Sequence, residues 1–127
     1  MLYGLIMMLQ AAAQVPAVPS SVQVIDENGA LVMRTLPDGK PLYTYDKDSG
    51  GVSACVDRCA VAWPPLMASA TAKRVGDWTT VRRNDGSTQW AYKGSPVYLY
   101  GRDVNSKASG DGIGGVWHLL PTTRITP

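Results

Sequence analysis

The sequence predicts an all-β domain of antiparallel hairpins arising from a duplicated repeat, arranged as a sandwich or a partly closed barrel, with one short helix. Three observations carry this expectation. Apolar residues alternate with a period of two across several segments, the pattern of half-buried strands. Turn-forming dipeptides separate those segments. A frame of Gly-x-Pro-apolar-Tyr-x-Tyr-x-x-Asp occurs twice, at Gly39–Asp48 and again at Gly94–Asp103.

The chain opens on Met1–Leu9, apolar and uncharged, followed by Ala11-Ala12-Ala13. A short apolar run ending in small residues reads as a secretory signal covering residues 1–13, since a bilayer span needs about 20 residues. Residues 14–21 (QVPAVPSS) read as a Pro- and Ser-containing linker. Val22–Ile25 and Ala30–Met33 flank Asp26-Glu27-Asn28-Gly29, where Asn-Gly marks a hairpin. Pro41–Tyr45 follows as a strand that opens on proline, a first or edge position. Ser53–Ala62 is the one helical stretch, with Ser53 as N-cap and Asp57 in the first turns, ended by Trp63-Pro64-Pro65. In the second half, Trp78–Arg82 and Thr88–Tyr92 flank Asn84-Asp85-Gly86, Pro96–Tyr100 repeats the proline-led strand, and Val116–Leu120 is a last strand. Between these, Ser109–Gly115 is a glycine-rich loop around Asp111. It lacks the alternating oxygen ligands and closing Glu of a calcium loop, and no helix follows it as a phosphate loop requires.

Each Tyr-x-Tyr pair is followed by a tryptophan, Trp63 in the first copy and Trp117 in the second. The repeats therefore run from about 22 to 76 and from 77 to 127, within one domain. Neither copy is large enough to bury an apolar face alone.

Composition narrows the function. With 12 Lys and Arg against 10 Asp and Glu, the net charge of +2 is too small and scattered for a nucleic-acid binder. Four Trp and six Tyr without a single Phe provide aromatic core and surface in a chain with only 17% charged residues. Stable membrane insertion after signal removal is not expected.

Cys55 and Cys59 stand four apart on one face of the predicted helix. In an exported protein the ordinary state of such a pair is a structural disulfide. The alternative is a pair of thiolates that binds a soft metal such as Cu(I), or cycles between thiol and disulfide, with His118, the only histidine, as a third ligand. No motif demands a cofactor, and copper is the one these residues could take. Tyr43/Tyr45, Tyr98/Tyr100 and Trp90/Tyr92 each lie at i, i+2 on a strand face. Such stripes pack a core or form an aromatic binding surface for a sugar, haem or other apolar ligand. Asp48 and Asp103 are placed to cap turns. No nucleophile–base set is legible around His118, which favours a non-enzymatic role.

The Tyr-x-aromatic-x-x-Asp frame (Tyr43/Tyr45/Asp48, Tyr98/Tyr100/Asp103) resembles a bacterial family of secreted repeats of unknown function, many described as lipoproteins. Cys55-x-x-x-Cys59-Ala60-x-x-Trp63-Pro64-Pro65-Leu66, Gln89–Gly94 and Gly110-Asp111-Gly112 leading to Gly115–His118 match it too. The lipobox cysteine of the lipoprotein members is absent. The resemblance implies an extracytoplasmic, duplicated β domain without a defined activity, and some members carry an association with alkane catabolism. The expected protein is thus a periplasmic or secreted binding or accessory module, its partner an extracytoplasmic protein or small ligand.

Overall fold

The computed structural model describes residues 15–124, so the expected signal segment lies outside the described residues. Among the described residues the strands are β1 (Val22–Glu27), β2 (Ala30–Thr35), β3 (Tyr43–Tyr45), β4 (Met67–Ala68), β5 (Trp78–Arg82), β6 (Thr88–Tyr92), β7 (Ser95–Pro96), β8 (Trp117–Leu119) and β9 (Thr123–Arg124), with one α-helix, α1 (Arg58–Ala62). They form three antiparallel sheets, β1-β2-β9, β3-β8 and β4-β6-β5 with β7 on β6, and the described residues close no barrel.

The hairpins form where alternation and turn chemistry agree. In the first, Asn28 and Gly29 both take positive φ, and Asp26 accepts a hydrogen bond from the Gly29 amide. The pairing beyond the hairpins crosses between copies. Strand β3 of the first copy pairs with β8 of the second (Tyr43 opposite Leu119, Tyr45 opposite Trp117). Conversely, the Tyr98 strand of the second copy pairs with Pro64–Leu66 of the first, through Leu66 N–H to Val97 O and Leu99 N–H to Pro64 O. The outer sheets are built the same way: β9 joins the first copy's hairpin and β4 joins the second's. Where the two central strands meet, Tyr43 and Tyr98 exchange both backbone hydrogen bonds at 2.8 Å. Such reciprocity is the signature of an approximate two-fold axis, here running between Tyr43 and Tyr98.

Two apolar clusters result. One gathers Val22, Met33, Leu42, Leu66, Trp78, Trp90, Val97 and Leu120 from both copies. The other, on the axis, holds Tyr43, Cys55, Trp63, Tyr98 and Trp117.

Three local expectations are corrected. The helix is only Arg58–Ala62, because Asp57 takes a positive φ of 55° and makes no side-chain cap. Ser53 is no N-cap: it is buried, and its hydroxyl is engaged by Tyr98 and Arg83. The described part of the expected linker is not a loose tether either. Pro19 is buried, Val18 packs on the first cluster, and the Pro19 and Ser21 carbonyls accept from Val22 and Leu36.

Because each copy's Tyr-x-Tyr strand finds its partner in the other, residues 15–76 and 77–124 made as separate chains are expected to lack cooperative thermal unfolding. Mixing them in equal amounts is expected to restore it, as followed by near-ultraviolet circular dichroism. Either fragment melting cooperatively alone would contradict the interlocked pairing.

Candidate functional site

The axial cluster is organised by aromatic geometry. Trp63 and Trp117 stack face to face across the axis, with centroids 3.9 Å apart and planes within 2°. Tyr45 stacks on the outer side of Trp117 at 4.1 Å, and Tyr100 stacks on Trp63 at 4.2 Å. The four rings form one column, Tyr45–Trp117–Trp63–Tyr100. Tyr43 and Tyr98 meet Trp63 and Trp117 edge-on at 5.3 and 5.2 Å, a favoured arrangement for ring quadrupoles. Gly110 is required beside the column, since a Cβ there would lie 2.7 Å from the Trp63 ring.

The buried hydroxyls cross between copies as the backbone does. The Tyr43 hydroxyl donates to Asp103 Oδ2 at 2.6 Å, and the Tyr98 hydroxyl donates to Asp48 Oδ2 at 2.8 Å. Each carboxylate uses its other oxygen to close its own loop, Asp48 on the Ala54 amide at 2.7 Å and Asp103 on the Ser109 amide at 2.8 Å. The motif's first tyrosine and its aspartate thus serve opposite copies.

The copies diverge in what supports the tyrosine oxygens. The Gly110 amide donates to the Tyr43 oxygen at 3.1 Å. Tyr98 instead receives the Ser53 hydroxyl, itself held by Arg83. Arg83 is 6% exposed and also donates to Gln89 Oε1 and to the Cys55 carbonyl. Sequence reasoning gave Ser53 only a capping role and gave Arg83 and Gln89 none, because none belongs to the repeated frame. The one available signal was a second arginine next to the Asn84-Asp85-Gly86 turn.

The expected site residues fall into distinct places. Tyr43, Tyr98 and Trp90 are buried and cannot present a surface, while Tyr45, Tyr92 and Tyr100 are half-buried. Cys55 and Cys59 form a disulfide with Cα atoms 5.2 Å apart, tying α1 to the buried Cys55. His118 lies on the outside of β8 and pairs with Asp46 at 2.7 Å, both about half-exposed. Cys55, Cys59 and His118 are therefore not assembled as a donor set, and among the described residues no three His, Cys, Asp or Glu side chains are grouped to hold a metal.

Tyr100, one end of the column, borders an open groove of about 620 Å³ lined by Arg58, Val61, Ala62, Trp63, Tyr100, Gly101, Arg102 and Ile113. Its walls are α1 on one side and the short 3-10 turn Ile113–Gly115 on the other. Val61 is 79% exposed and Ile113 39%.

The fold and its buried axis define a duplicated, aromatic-cored β scaffold. The family described as a secreted repeat of unknown function matches the chain twice, over residues 25–67 and 79–120, and the chain belongs to that family. Comparison with curated proteins and with solved structures gives no match.

Burial and the carboxylate acceptors raise both tyrosine hydroxyls above the ordinary 10.0, Tyr98 to about 12 and Tyr43 further. Burial also raises the Asp48 carboxyl, against the Ala54 amide, the Tyr98 hydroxyl and the Arg83 charge. A raised folded value means the two tyrosines contribute stability that is complete below about pH 10 and is lost as pH climbs through their folded values. Unfolding free energy is expected to fall above pH 10 with a limiting slope of about 2.7 kcal/mol per pH unit, two protons' worth. Denaturant melts across pH 8 to 12 check this, and Tyr98→Phe should halve the slope. A pH-independent stability over that range would contradict the assignment.

Proposed function

We propose that this protein is an exported binding module of the periplasm or the medium that takes a small ligand or an extracytoplasmic protein segment in the groove at the Tyr100 end of the column. The family's description as a secreted repeat supports the location. Among the described residues no helix is long and apolar enough to cross a membrane. The observation that carries the reading is the groove itself: exposed aliphatic side chains of Val61 and Ile113 beside half-buried Tyr100, on a scaffold made rigid by stacked rings and the Cys55–Cys59 disulfide. Binding sites concentrate where concave apolar surface meets a few polar groups on a rigid frame. A saturated hydrocarbon would leave both flanking guanidiniums unused, and the copper or thiol-redox alternative rests on the cysteine spacing and the lone His118.

Amide chemical-shift mapping with a panel of small neutral, anionic and cationic aromatic compounds tests the reading. Perturbations are expected to cluster at Val61, Ala62, Gly101 and Ile113. Shifts scattered over the surface, or centred on Asp46 and His118 instead, would overturn it.

A further inference from the structure

The approximate two-fold axis makes the two ends of the aromatic column directly comparable. Trp117 and Tyr45 at one end correspond to Trp63 and Tyr100 at the other, with matching ring separations. The backbones correspond as well: the Asp46 amide donates to the Val116 carbonyl, and the Gly101 amide donates to the Ala62 carbonyl, both at 2.8 Å. The column fixes the same rings at both ends, and only the surrounding positions are free to differ. Here they differ in the residues that face outward.

At the Tyr45 end, the position after the tyrosine is Asp46, and the residue after the tryptophan is His118, and these two pair with each other. At the Tyr100 end the same two positions are Gly101 and Pro64. The acid and its partner are thus both missing where the groove opens. Glycine at 101 also keeps the chain close to α1, since a Cβ there would come within 3.2 Å of the Ala62 carbonyl oxygen. Removal of the carboxylate leaves two cations on the groove, Arg58 on α1 and Arg102 in the turn after Tyr100. Both are exposed, and neither takes part in an ion pair among the described residues. No Asp or Glu lines the groove.

Resting on the reading of the groove as the binding site, we infer that its ligand is a flat aromatic carboxylate, whose ring packs among Tyr100, Trp63 and the aliphatic side chains of Val61 and Ile113 while its carboxylate is held by Arg58 and Arg102. The aromatic and aliphatic lining recovers the apolar body from water. The guanidinium forks match a carboxylate in charge and shape and are weakly hydrated, so little is lost in exchanging water for the anion. A cationic ligand is disfavoured by the same pair of charges, and a neutral one leaves them unused.

Amide chemical-shift titrations of the full disulfide-bonded protein with naphthalene-2-carboxylate, and with the uncharged isostere naphthalene-2-carboxamide, test the inference. The carboxylate is expected to move Val61, Ala62, Gly101, Arg102 and Ile113 and to bind about tenfold more tightly than the carboxamide. Arg58→Gln with Arg102→Gln is expected to remove that difference by weakening the carboxylate about tenfold while leaving the carboxamide unchanged. Both arginines are exposed, and an unaltered melting temperature of the double variant keeps the comparison clean. Equal binding of the two compounds in this groove would overturn the carboxylate assignment and leave the groove as a binding site. Absence of shifts at the groove with either compound, while the Proposed function panel also fails there, would overturn both.

Discussion

Two hydrogen bonds, the buried one from Tyr43 to Asp103 and the partly buried one from Tyr98 to Asp48, hold the rest of this structure in place. A carboxylate taken into a protein interior is costly unless its oxygens are paired. Neither aspartate can be fully paired within its own copy: the local loop supplies one backbone amide, and the remaining oxygen waits for a tyrosine from the other half. The same complementarity operates in the backbone, where each Tyr-x-Tyr strand is completed by the strand after the other copy's tryptophan. Once those pairings form, Trp63 and Trp117 are brought face to face, and the column of four rings follows from the geometry.

Symmetry of that kind is satisfied at the centre and relaxed with distance from the axis. At the axis the two halves match in bonds, ring angles and burial. One shell out, the Gly110 amide on one side is answered by Ser53 and Arg83 on the other, and Cys55 stands where the second copy has Gly110. Farther out still, the Asp46–His118 pair on one side is answered by Gly101 and Pro64 beside the Arg-flanked groove on the other, with a cation, Lys47 or Arg102, kept in both turns. Duplication supplies a rigid frame, and the outer positions are left free to differ.

Much of this was legible in the sequence. Alternating apolar residues, with Asn28-Gly29 and Asn84-Asp85-Gly86 at the turns, give the hairpins, and the repeated frame gives the two copies and their tyrosine, tryptophan and aspartate positions. The crossing was not legible, because a sequence repeat states which residues correspond and is silent on which copy each one serves. The N-cap expectation at Ser53 failed for a related reason. A serine before an apolar run has a local use as a cap, but here a tertiary demand from Tyr98 and Arg83 outweighs it, and the helix starts only after the positive φ at Asp57. Arg83 escaped notice, and Gln89 entered only as part of a matching segment, because single polar residues at a hairpin carry no pattern until the fold buries them. The groove escaped too, since Arg58, Arg102 and Ile113 come from three separated segments.

The most direct test of the account is a pair of double-mutant cycles on folding stability. Tyr43→Phe with Asp103→Asn, across the copies, is expected to show a coupling of about 1–3 kcal/mol. Tyr43→Phe with Asp48→Asn, within one copy, is expected to be additive to within about 0.5 kcal/mol. The reverse result, coupling within the copy and additivity across it, would contradict the crossing on which the architecture rests.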